Sequence, residues 1–228
     1  TLRIADAVEA MLKGSAAAFR GEDREAAKEV SRTDDVVDRL HRAVHAYLAR
    51  IPRESLGDED GRRLQEIQTF AIAMEHAADV VERDLVRHAA KRLRRGLALG
   101  AGEMREIEAL HAALREQLRL AVAVFMLEDA EAARRLVRGK EALRAAEREA
   151  ARRLGGSGGA TASLMLDTVR DLRRVGAHFA SAAHPLLERR GELLPSRLAA
   201  EAELVEAERA PDGEEAARPA VSPGPPAR

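Results

Sequence analysis

The chain has 228 residues, of which 46% are hydrophobic and 34% charged, and its formal net charge is −1. It lacks cysteine, so disulfides and thiol chemistry are excluded, and any metal site must use carboxylates and histidines. No Lys/Arg block carries interleaved aromatic residues, so a nucleic-acid surface is not indicated, and no apolar run reaches the ~18 residues that would cross a bilayer.

The composition favours long helices, because Ala, Leu, Glu and Arg dominate while strand-forming residues are few and scattered. Apolar residues recur with helical spacing in six blocks. Pro52 ends the second block, and GGSGG at 155–159 separates the fifth from the sixth. In chain order, the predicted helices cover 2–19, 22–51, 60–93, 103–127, 128–154 and 161–189.

One phrase occurs twice, as FRGEDREAA at 19–27 and FMLEDAEAA at 125–133, which is an offset of 125 − 19 = 106 residues. Both copies lie at the junction between the first and second helix of a three-helix set. The same offset pairs Val30 with Leu136, so the apolar register also agrees. The chain therefore reads as an internal duplication.

We accordingly predict an all-α fold: a tandem repeat of two three-helix units that form an antiparallel helical bundle. The first unit covers 1–94 and the second covers 103–190. From 191 to 228 the sequence is rich in Ala, Glu and Pro, and we predict a low-complexity, largely disordered tail.

Acidic residues follow the edges of two apolar stripes in the first unit. Asp34 and Asp38 lie one turn apart on the second helix, and Glu75 and Asp79 do the same on the third. When such helices pack, their carboxylates converge at a cost of several kcal/mol unless a cation neutralises them. Oxygen ligands suit Mg, Ca, Mn or Fe. The alternative is that these residues are solvated flanks of amphipathic helices.

Further candidate metal ligands lie near this set. His41 and His45 have the i, i+4 spacing of a zinc-binding pair, and Glu82 continues the line of Glu75 and Asp79. The two histidines are equally compatible with a partly exposed helical face.

A second arrangement suggests an enzyme. Glu108 and His111 form one Glu-x-x-His motif of the kind found in di-iron carboxylate bundles, with Asp38 and His41 as a poor second copy. Because such enzymes need two of these motifs and two further glutamates, the carboxylate-bridged metalloenzyme is kept as an alternative of another class.

Several segments resemble PhoU domains, in particular the version at the cytoplasmic end of bacterial sodium/phosphate cotransporters. They are LRIADAVEAML at 2–12, TDDVVDRL at 33–40, VHAYLARI at 44–51 and AMEHAADVV at 73–81, and DLRRVGAHF at 171–179 is similar to a worn second signature. The resemblance covers about residues 2–189. It implies two three-helix repeats in which acidic pairs on facing helices bind multinuclear metal clusters.

Carried over by position, the family pattern assigns Asp34, Asp38, Glu75 and Asp79 to a divalent or trivalent metal ion, with Fe, Mn, Zn, Mg and Ca all possible. In the second repeat the matching positions are basic and cannot ligate a metal. These positions are Lys140, Arg144 and Arg173. They would either bind an anion such as phosphate or form ion pairs with neighbouring glutamates.

The resemblance implies a non-enzymatic regulatory domain of a sodium-dependent phosphate symporter, on the cytoplasmic side of the plasma membrane. Its expected partner is the membrane-embedded transport domain, and homo-oligomers are possible. Because the chain starts at Thr1 rather than Met, we expect a piece of a longer protein. The main alternative is a free-standing PhoU-type negative regulator of phosphate uptake and signalling.

Overall fold

Helices make up nearly all of the chain that the computed structural model describes, which is residues 1–21, 25–52, 56–156 and 158–192. This confirms the all-α prediction. In this described part the elements are α1 (Leu2–Arg20), α2 (Ala26–Leu48), α3 (Asp58–Val80), a π turn (Val81–Leu85), α4 (Val86–Arg95), α5 (Ala101–Leu127), α6 (Ala130–Leu154), α7 (Ala160–Ser181) and α8 (His184–Arg189). Among these, no helix has the length and apolar character needed to span a membrane.

Helix ends follow local chemistry. Gly21 ends α1 in the left-handed conformation with φ 76°, which allows its N–H to reach the carbonyls of the last turn. The Asp129 carboxylate caps α6 by accepting hydrogen bonds from the backbone N–H groups of residues 131 and 132, at 2.9 and 3.0 Å. Between α5 and α6 the chain reverses at Glu128, whose φ of 49° is unusual for a residue other than glycine.

Two of the predicted helices differ from those observed. The third is longer than predicted and is divided by the π turn, so that 58–95 forms α3, the π turn and α4 without a break. The sixth ends at Ser181, and α8 begins with Pro185 in its first turn, where the missing proline N–H costs least. The predicted start of the second helix at 22–24 and the predicted disordered tail from 193 onward lie outside the described residues.

The core is continuous through residues 1–192, which form one compact unit. Helix α1 lies against α2, α3, α4 and α5, and α7 lies against α3, α5 and α6. Phe70 and Phe125, one from each predicted repeat, stack with ring centroids 4.3 Å apart. The two sets of three helices therefore share their apolar interior.

Candidate metal site

Three carboxylates from α2 and the helix that follows it lie close enough for their charges to act on a fourth, that of Asp34. This acidic patch consists of Asp34 and Asp38 on α2, Asp79 on α3 and Glu82 in the π turn. The pKa of Asp34 is raised to about 6, first by partial burial and then by the negative charges of Asp38, Glu82 and Asp79, against the opposing charge of Arg83. The patch therefore carries excess negative charge.

Two side-chain contacts hold the acidic patch in place. The Ser31 hydroxyl on α2 donates a hydrogen bond of 3.2 Å to Glu82 in the π turn, which joins the two walls of the patch. Arg83 lies 3.0 Å from Asp79 and forms its ion pair at the exposed side. Three of the carboxylates predicted as metal ligands are thus brought together, with Glu82 as a fourth.

Glu75 is placed differently from the other predicted ligands. Its carboxylate lies 3.6 Å from Nε2 of His76, and its charge is not one of the main causes of the raised pKa of Asp34. Across the described residues, no group of three or more His, Asp or Glu side chains is arranged to hold a metal ion. The patch has the oxygen donors and charge that suit a hard cation, but its side chains do not surround a single point.

The candidate histidines fall into two kinds. His41 and His45 have ring centroids 4.9 Å apart at nearly perpendicular angles, and Nε2 of His41 is buried without a hydrogen-bond partner. His111, in contrast, is a core residue. Its Nδ1–H donates to the carbonyl of Ile107 at 2.8 Å, and its Nε2 accepts from the Ser15 hydroxyl at 3.0 Å.

This placement of His111 counts against the di-iron alternative. Burial lowers the pKa of His111 to about 4, so the ring is neutral at pH 7. Both of its nitrogens are already used in hydrogen bonds, which leaves no lone pair for a metal. Its partner in the motif, Glu108, lies 3.9 Å from Arg20 in an ion pair.

The three basic residues predicted as an anion site lie beside other side chains of the protein. Arg144 forms an ion pair with Glu141 at 2.8 Å, and Arg173 forms one with Glu147 at 2.7 Å. Lys140 lies near His184 and, after burial, contributes to lowering the pKa of that histidine. Two of these three basic side chains therefore form ion pairs with glutamates.

A polar network that the sequence pattern does not reveal joins the π turn and α4 to α7. Nε2 of His88 lies 2.9 Å from the Asp171 carboxylate, and Arg174 donates to both Asp171 and Asp84 at 2.9 Å. Burial of Asp171 acts to raise its pKa, but hydrogen bonds from His88 and Arg174 outweigh burial and leave that pKa lowered. Only the i, i+3 spacing of Asp171 and Arg174 was visible in the sequence.

Comparison with known protein families places these features in context. A family model described as "PhoU domain" matches residues 1–83, which include α1, α2, α3 and all four residues of the acidic patch. The crystal structure of PhoU from Pseudomonas aeruginosa superposes with a TM-score of 0.72 and 19% identity, covering 82% of this chain and 91% of that one. That likeness establishes a PhoU-like fold through both sets of helices.

The chain is also similar in sequence to proteins named for phosphate export. The chain is 35% identical over 199 residues to the protein named "Putative inorganic phosphate export protein YjbB" from Escherichia coli K12, and 34% identical over 194 residues to that from Salmonella typhimurium. These matches cover 84% and 82% of this chain. The chain spans 36% of the length of either relative.

Proposed function

Because residues 1–83 form a PhoU domain, we propose that this chain regulates the transport of inorganic phosphate and catalyses no reaction itself. The observation that carries the proposal is the match between nearly the whole helical part of the chain and relatives named for phosphate export. The family is regulatory rather than enzymatic, and the occupied nitrogens of His111 agree with that reading.

Two versions are expected from the sequence: the domain of a sodium-dependent symporter and the free-standing PhoU-type negative regulator of phosphate uptake and signalling. The second has the better support. The relatives described above are named for phosphate export, and their names do not mention sodium. We therefore propose a PhoU-type regulator that acts by contact with a membrane-embedded phosphate transport domain, on the cytoplasmic face of the membrane. Sodium coupling is not part of the proposal.

We also propose that the acidic patch takes a divalent or trivalent cation as part of this regulation. Asp34, Asp38, Asp79 and Glu82 would supply hard oxygen ligands, and a cation would remove the repulsion that raises the pKa of Asp34. Glu75 would join only after its side chain turns away from His76. The cation's role is to neutralise charge and draw α2 toward the helix that carries Asp79 and Glu82.

The test is phosphate flux in cells that carry the gene encoding this chain. Labelled phosphate uptake and efflux are measured at high and low external phosphate, for the wild type and for a variant gene that lacks the codons for residues 1–192 of this chain. We expect transport to continue but to lose its dependence on phosphate supply. Unchanged dependence after the deletion would overturn the regulatory function.

The cation is tested separately by elemental analysis of the purified protein. Asp34→Asn combined with Asp79→Asn should remove bound metal, whereas Asp35→Asn, an exposed neighbour on the same helix, should retain it. Equal metal content in both proteins would contradict the assignment of the acidic patch.

A further inference from the structure

The π turn at Val81–Leu85 is an irregularity with no local sequence cause. Its segment, VERDL, contains neither proline nor glycine, and the N–H of Val86 reaches back five residues to the carbonyl of Val81. Single π turns within α-helices are uncommon and frequently occur at functional sites. Tertiary contacts must therefore hold the extra residue in place.

Two acidic side chains of the turn contact different neighbours. Glu82 accepts the hydrogen bond from Ser31 on α2 and belongs to the acidic patch. Asp84, two residues later, accepts from Arg174 on α7 at 2.9 Å and from Arg87 at 2.7 Å. The five-residue turn thus links the acidic patch to the second set of helices.

The turn also sets the rotation of α4 relative to α3. If the π turn closed into an ordinary α turn, α4 would rotate by about 100° and shift by about 1.5 Å relative to α3. Asp84 and His88 would then leave Arg174 and Asp171. His88 and Asp171 are almost fully buried, with 6% and 4% exposure, so their separation would leave polar groups without partners.

We propose that the π turn couples the acidic patch to α7, so that contacts at Glu82 determine whether His88 keeps its contact with Asp171 and Asp84 keeps its contact with Arg174. A cation that draws Glu82 toward α2 keeps the π turn and strengthens the contacts of His88 and Asp84 with α7. Coupling between sites is reciprocal, so loosening α7 weakens cation binding by the same factor. The cation in this scheme rests on the proposed function, whereas the coupling through Glu82 can be tested without it.

The first experiment uses metal-free protein and amide hydrogen exchange. Glu82→Ala removes the tie to Ser31 and favours a regular helix, so exchange in 86–95 and 168–178 should be faster by about fivefold or more. Glu29→Ala, which removes an exposed glutamate on α2, is the matched control and should leave both segments unchanged. Unchanged exchange in α4 and α7 of Glu82→Ala would overturn the coupling.

The second experiment measures Mn²⁺ affinity by calorimetry. Arg174→Gln, on the far side of the π turn, should weaken Mn²⁺ binding by about fivefold or more, while Arg170→Gln on the same helix should not. Melting curves show whether each variant is folded. Equal affinity in a folded Arg174→Gln would overturn the coupling, and absence of Mn²⁺ binding in the wild type would overturn the cation site of the proposed function.

Discussion

The charged carboxylate of Asp34 destabilises the folded structure. The carboxyl is half-buried beside three other acids, and its pKa is about 6 instead of 3.8. For an acid whose pKa is raised on folding, the favourable contribution is present below about pH 4 and is lost as pH rises toward 6. At neutral pH the charged Asp34 therefore lowers the stability of the fold. A functional role explains the presence of this carboxylate better than a role in folding does.

Replacing this carboxyl should stabilise the metal-free protein. Asp34→Asn at pH 7 in the presence of EDTA should raise the free energy of unfolding by about 1 kcal/mol, a figure reduced for solvent screening because the site is partly exposed. The gain should disappear near pH 4. Urea denaturation at both pH values measures it, with Asp35→Asn as the control; a loss of stability at pH 7 would show that Asp34 has a stabilising partner.

His111 makes a second prediction at the level of single residues. Its pKa is near 4 in the fold and 6.5 in the unfolded chain, so its contribution is complete above pH 6.5 and is lost as pH falls from 6.5 to 4. The loss amounts to about 3 kcal/mol at most. Stability measured from pH 7 to 4 should therefore fall less steeply in His111→Leu than in the wild type, and parallel curves would contradict this assignment.

At the level of elements, the close approach of α1 and α2 depends on a glycine. A Cβ added at Gly14 would lie 2.6 Å from Cγ2 of Val30, whose buried β-branched side chain has little freedom to turn aside. Gly61 in α3, by contrast, has nothing within 4 Å of such a Cβ. The two positions make a matched pair.

Gly14→Ala should destabilise the protein by about 1–3 kcal/mol through overpacking, although alanine is the better helix former. Gly61→Ala should stabilise it by up to about 1 kcal/mol. Thermal melting measures both, and adding Val30→Ala to Gly14→Ala should recover part of the loss. Equal effects of the two glycine substitutions would show that α1 and α2 can separate at little cost.

The elements themselves could largely be predicted, because apolar periodicity, Pro52 and the GGSGG segment act locally. The π turn could not be predicted, because the residues that contact Glu82 and Asp84 are distant in the sequence. Ser31 lies 51 positions from Glu82, and Arg174 lies 90 positions from Asp84. The same limit applies to the site: the i, i+4 acids and Glu82 indicated the helix edges, but only the packed structure places Glu75 beside His76 and joins Glu82 to α2 through Ser31.

In the whole molecule, the two sets of helices share polar as well as apolar contacts. Ser15 bonds His111 between α1 and α5, and His88 bonds Asp171 between α4 and α7. A change in the first set can thus be relayed to the second, as the proposed regulation requires, because buried bonded pairs have discrete arrangements. The second set, with the basic residues Lys140, Arg144 and Arg173, can then take part in the relay without binding a metal.

This shared interior predicts that the first set of helices does not fold alone. A fragment ending at residue 99 would expose the faces of α1 and α3 that cover α5 and α7, and would remove the contacts of Ser15 with His111 and of His88 with Asp171. The full chain should unfold in one cooperative transition, while the fragment should show no such transition by circular dichroism. A fragment with a sharp melt of its own would mean that the halves are joined but independent, and the relay between them would lose its physical basis.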